Sequence, residues 1–164
     1  MSNHAADTDM IVKAIKEKAC LKQDVFGITQ TTFTDLKEVL AETVAEIREE
    51  FGDTDSRIAI EYKSKGEYEA ELVIAGDTLV FHMHTNVFQF DSSNSLWKTS
   101  YLKENEDRGY CGIISVYNFL SDSFRYNRYN DLGYLIARIF INHEKHYFVQ
   151  GKRQLGFLYN DFVN

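Results

Sequence analysis

Apolar positions along the chain keep a helical period at first and then switch to a period of two. In "TDMIVKAIKEKACLKQ", Ile11, Ala14, Ile15 and Ala19 recur at helical spacing with Leu21 at the edge of that face. Thr8 or Asp9 is available as N-cap, so the pattern predicts a helix over about 9–23. "FTDLKEVLAETVAEIREEFG" carries a second stripe of Leu36, Leu40, Val44, Ile47 and Phe51, with Val39 on its flank. Asp35 and Glu38 have the spacing of a capping box and Gly52 stands where a helix would stop, which predicts a second helix over about 35–51. A helix apolar on one side and acidic on the other packs on something.

From Arg57 onward the alternation is that of strands with one buried face. Ile58, Ile60 and Tyr62 alternate with Arg57, Glu61 and Lys63; Tyr68, Ala70, Leu72 and Ile74 alternate with Glu67, Glu69 and Glu71. Gly66 and Gly76-Asp77 mark two turns. Residues 91–110 form a polar excursion that has room for a short helix. "IISVYNF" reads as a further strand. "DLGYLIARIFINHEKHYFVQG" reads as a hairpin turning at Asn142–Lys145, apolar on both faces and therefore central, and "KRQLGFLYNDFVN" as a last strand or short helix. The whole is expected to be one α+β domain over 1–164, with two N-terminal helices packed on one face of a mainly antiparallel sheet of about five to seven strands.

A two-residue loop at Gly76-Asp77 would set Glu71 opposite His82 and Glu69 opposite His84. A three-residue loop at Ser64-Lys65-Gly66 would bring Glu61 beside them. Two imidazoles with two or three carboxylates form a set that zinc, iron or manganese can use, so His82, His84, Glu69 and Glu71 are candidate ligands of a divalent metal. The alternative is that they form the solvated face of a sheet, where a Glu opposite a His is a favourable pair. Gly76 followed by His82 and His84 resembles the opening of the cupin metal motif. Gln89 stands where that motif has glutamate, and its later proline has no counterpart here, so no function is taken from the resemblance.

Other chemistry is incomplete. His143, Glu144 and His146 are spaced one residue too tightly for the H-E-x-x-H zinc motif, leaving a turn metal site as the alternative. Cys111 sits between glycines with no evident base, and "VQGKRQLG" lacks the phosphate-loop spacing. The most distinctive stretch is "YNFLSDSFRYNRYNDLGY", residues 117–134, where Tyr126, Tyr129 and Tyr134 interleave with Arg125, Arg128 and several asparagines. These residue types give large contact area and adaptable hydrogen bonds, and the arginines suit a carboxylate or phosphate.

Composition narrows the classes. With 18 basic and 25 acidic residues the net charge is −7, which disfavours nucleic acid as main partner. The first sixty residues hold twelve of the acids against seven bases. There is no proline, and the two cysteines form no disulfide framework, which fits a reducing compartment. The polar N-terminus is unlike a signal peptide and the longest apolar run, "YLIARIFI", is far short of a membrane span, so a cytoplasmic location is expected.

The sequence thus points to a non-catalytic binding or interaction protein, a self-associating one, with Arg125, Tyr126, Arg128, Tyr129 and Tyr134 as its recognition surface. It would take a protein partner or a small ligand. The rival is a metal-dependent enzyme using His82, His84 and Glu69 or Glu71, with Arg125 or Arg128 as substrate clamp.

Overall fold

The computed structural model describes residues 3–128 and 130–151; the expectation for 152–164, and the one for Tyr129, lie outside the described residues. The fold is α+β, with one long N-terminal helix and a seven-stranded antiparallel sheet. Helix α1 (Asn3–Ala14) runs through a π-helical turn (Ile15–Ala19) directly into α2 (Cys20–Phe51). This corrects the expectation of two separate helices packed on the sheet. The segment between them contains no proline, and its single Gly27 weakens a helix by only about 1 kcal/mol relative to alanine. Its four threonines return their hydroxyls to the carbonyls four residues back, Thr29 to Val25 at 2.7 Å and Thr31, Thr32 and Thr34 likewise. That local bonding satisfies the hydroxyls inside a helix that propensity alone would have interrupted. Asp35 and Glu38 are therefore mid-helix and cap nothing. Gly52 does end the helix, at φ 57°, its N–H donating to the Arg48 carbonyl at 3.0 Å.

The strands are β1 (Ile60–Ser64), β2 (Glu69–Ile74), β3 (Asp77–Met83), β4 (Phe88–Gln89), β5 (Tyr110–Leu120), β6 (Tyr134–Ile141) and β7 (Tyr147–Gly151). Their order is β1-β2-β3-β5-β6-β7, with short β4 pairing with β5. The β6–β7 hairpin turns where expected, but β7 lies at the end of this order and is not central. It is apolar on both faces because both are covered. Ile141, Ile139 and Tyr147 pack toward Phe33 of the helix, while Phe140 and Phe148 stack with centroids 4.8 Å apart under Phe90 and Leu96.

The helix covers one face of the sheet. Phe33, Met83, Ile114 and Ile141 form one buried cluster there, and Val44, Ile60 and Leu72 another. Residues 88–110 fold back over the opposite face at the β5–β7 end. Three short turns of helix lie in this excursion: 3-10 turns at Ser95–Lys98 and Glu106–Gly109 and α3 (Ser100–Glu104) between them. They are capped in order by the side chains of Asn94, Asn105 and Thr99. The β1–β3 half of that far face is left without this cover. No helix among the described residues is long and apolar enough to cross a membrane.

Both hairpin registers differ from the expected ones. The β2–β3 loop is Ala75-Gly76, with Ile74 opposite Asp77, Leu72 opposite Leu79 and Ala70 opposite Phe81. The β1–β2 loop spans 65–68, placing Ser64 opposite Ala70 and Lys63 opposite Glu71. Each slip is by an even number of residues, so every side chain keeps its face and only its neighbours change. Ala70 and Leu72 meet apolar partners in either register, and only Ile74, at the strand end, exchanges one for Asp77, so the hydrophobic pattern separates the two weakly. Ala75 takes the left-handed conformation at φ 54°, its N–H donating to the Ala59 carbonyl at 2.7 Å.

Candidate binding site

The Glu–His cluster is dispersed by the true register. Glu69 pairs with His82, carboxylate to Nδ1 at 3.6 Å. Glu71 lies opposite Val80 rather than His82, is nearly buried, and holds the Lys65 ammonium at 3.5 Å. His84 lies past the end of β3. Its Nδ1 accepts from the Asn86 N–H at 3.1 Å, and its ring meets Phe88 edge-on with centroids 4.6 Å apart. Glu61 is opposite Val73 and bonds Lys63 at 2.8 Å, which holds its carboxyl below the usual range. Among the described residues, no group of three or more His, Cys, Asp or Glu is placed to hold a metal ion.

The arginine–tyrosine segment is where the fold makes a concavity. After Leu120 the chain enters α4 (Ser121–Arg125), anchored by Ser121, whose N–H donates to the Gly76 carbonyl at 2.8 Å and whose hydroxyl lies 3.0 Å from Thr78 Oγ1. Asn127 closes the helix in the left-handed conformation, φ 50°, and the next N–H, of Arg128, reaches back to the Ser123 carbonyl at 2.8 Å. Asparagine tolerates that conformation better than most residues, and the two-bond ending fixes where Arg125 and Arg128 leave the backbone. Ser123 Oγ then donates to Asp131 at 2.6 Å, tying the following loop. Gly133 is needed there because a Cβ would run into the Phe119 ring.

Between this segment and the uncovered half of the sheet lies an open groove of about 900 Å³. Its basic lining is Arg57, Lys63, Lys65, Arg125 and Arg128; its acidic lining is Glu61, Glu71 and Asp122. The groove is thus locally basic in a chain of net charge −7. Most of these charges already have partners. Arg57 makes a two-pronged bond to Asp55, Lys63 and Lys65 hold the two glutamates, and Arg128 lies 3.8 Å from Asp131. Arg125 makes no ion pair among the described residues and rests 5.6 Å from the Tyr126 ring centroid. Beside the groove is a smaller hollow of about 250 Å³, lined by Phe119, Ser123, Phe124, Asn127, Arg128 and Asp131. The two share Phe124, Asn127 and Arg128. Around them Leu120, Phe124, Tyr126, Leu132 and Tyr134 are all exposed, Leu132 by 81%.

The structure therefore places Arg125 and Arg128 on the groove, each against the Tyr126 ring, while Tyr134, exposed at the start of β6, lines neither the groove nor the hollow. It adds Lys63, at the end of β1, and Lys65, in the following loop, which sequence reading passed over because both looked like ordinary solvated positions. Arg108 was also missed. It grips Glu144 through Nε at 3.0 Å and packs over the Tyr101 ring, fastening the excursion to the β6–β7 turn. Burial raises the Glu144 carboxyl, but Arg108, His143 and His146 around it outweigh that and leave it below the usual range. His146 thus serves a hydrogen-bond network with Tyr101 and Asn142, while His143 lies 3.8 Å from Glu144.

Cys111 is buried, and burial pushes its thiol far above the ordinary range, whereas Cys20 is exposed. Thiolate is the reactive form. The native protein should consume one equivalent of a thiol reagent quickly, at Cys20, and the second only on unfolding. Two fast equivalents in a reagent-counting assay would contradict this placement.

The chain matches no protein-family model, no curated protein and no solved structure.

Proposed function

We propose that this is a binding protein whose recognition surface is the segment 117–134 together with the groove it overhangs, and that its ligand combines a carboxylate or phosphate with an apolar or aromatic group. The observation that carries this reading is the company Arg125 keeps. It is a cation without an acidic partner among the described residues, lining a basic groove beside exposed Leu120 and Phe124 and resting against the exposed Tyr126 ring. Exposed apolar patches of this kind mark interaction sites, and arginine with tyrosine is the composition of binding hot spots. The adjoining apolar hollow gives an uncharged group somewhere to sit while the anion meets Arg125.

The test is an NMR titration with three probes: inorganic phosphate, citrate, and a short peptide of glutamate and phenylalanine. The expected result is saturable shifts confined to residues 120–134 and the Lys63–Lys65 strand end. The peptide should bind tightest, and Arg125→Ala should weaken it by about tenfold, the usual consequence of losing one charge-assisted contact. Absence of shifts with all three probes, or shifts indifferent to Arg125→Ala, would refute the reading.

A further inference from the structure

A second surface lies at the other end of the molecule. Met10, Ile11, Val12 and Ile15 are exposed, Met10 by 64%, although their residue types belong in a core. They sit where the helix has left the sheet. Its first buried residue is Val25, and every residue from Asp7 to Cys20 is exposed. Residues 7–20 thus project by roughly 20 Å of helix. Helices of this length are marginal in water when nothing packs on them. Four large apolar residues are exposed within this short stretch, whereas α2 exposes only Val39 and Ile47 among acidic neighbours.

Its charges are sorted along the axis. Asp7 and Asp9 come first, followed by Lys13, Lys16, Lys18 and Lys22 against Glu17 alone. Two copies side by side in parallel would set acid beside acid and base beside base. Reversing one copy sets the acidic turns of each against the basic turns of the other and opposes the helix dipoles. The geometry points to a homodimer formed by antiparallel pairing of the projecting helices. Ile11 of each copy packs against Ile15 of the other, and Asp7 of each lies beside the other's Lys18. The contact is well under about 1,200 Å², the size of weak, concentration-dependent complexes. It uses none of the residues around the groove and stands independently of the proposed ligand site.

Sedimentation velocity over a range of concentrations tests it. The full chain should shift from monomer to dimer, and Ile11→Asp with Ile15→Asp should weaken association at least about tenfold while leaving thermal unfolding of the sheet unchanged. Because aspartate has a lower helix propensity than isoleucine and weakens the projecting helix itself, a charge exchange supplies the second arm. Asp7→Lys alone and Lys18→Asp alone should each weaken the dimer, and the two together should restore it. Orientation is read by disulfide trapping under copper–phenanthroline in a Cys20→Ser background. A mixture of Ile11→Cys and Ile15→Cys chains should cross-link, and each alone should cross-link poorly. A monomer at every concentration, a dimer indifferent to the isoleucine changes, or efficient Ile11→Cys self-linking would each overturn the proposal.

Discussion

Asn142→Ala should destabilise the protein by about 3 kcal/mol, the sum expected when removing one fully buried side chain leaves two backbone N–H groups without partners and takes one bond from a third group. Asn142 has no solvent exposure. Its Oδ1 accepts from the backbone N–H groups of Glu144 and His146 at 3.0 and 3.1 Å, and its Nδ2 donates to the Tyr101 hydroxyl at 2.7 Å. The first two bonds shape the β6–β7 turn, in which Lys145 is held at φ 64°. The third reaches across to the excursion, where Tyr101 also lies 2.7 Å from His146 Nδ1. Alanine restores none of these, and the site is too enclosed for water to replace them all. Tyr101→Phe removes only the bridging hydroxyl and should lose about 1–2 kcal/mol. Urea unfolding of both variants measures this, with the midpoint falling and the slope preserved. A loss under about 1 kcal/mol for Asn142→Ala would mean that the excursion is held by Phe90 and Leu96 packing and the Arg108–Glu144 pair, not by Asn142.

The second large effect is expected at Gly112, where α2 crosses β5. A Cβ built on Gly112 would lie 2.7 Å from Thr29 Cβ and closer still to its hydroxyl. Thr29 is itself fully buried, with its hydroxyl bonded to the Val25 carbonyl at 2.7 Å, so it has nowhere to turn. Gly112→Ala must push the helix off the sheet or distort the strand, and overpacking of this sort costs about 3 kcal/mol. The diagnostic is coupling. Thr29→Gly loses stability on its own, but Gly112→Ala placed in that background should cost much less than in the native chain. Additivity of the two changes in chemical denaturation would show that the close approach is not the cause.

These two sites show how differently the parts of this fold could be read in advance. Asn at a hairpin turn is a local signal, and the turn was placed correctly. What Asn142 holds together was hidden, because Tyr101 and Arg108 belong to a stretch with no periodicity at all. Likewise Gly112 looked like a glycine flanking a cysteine, and nothing local says that a threonine of a helix over 80 residues away lies against it.

The chain's alternation of apolar and polar residues was enough to establish an α+β domain, the faces of β1 to β3, and the end of the helix at Gly52. Face is a matter of parity, and parity is written into consecutive residues. Register is not, because slips of two or four residues preserve every face. It was the turn at Ala75, the Thr78–Ser121 contact and the choice of paired strands that moved Glu71 from His82 to Lys65. The continuity of the helix through residues 24–34 was also a tertiary outcome: Val25, Thr29 and Phe33 are buried against the sheet, and that burial overrides the weak propensity of a threonine-rich segment. The segment 117–134, proposed as the recognition surface, was singled out by residue types alone. That it overhangs a groove lined by Lys63 and Lys65 follows from folding, which brings strand β1 and helix α4 together across sixty residues of chain.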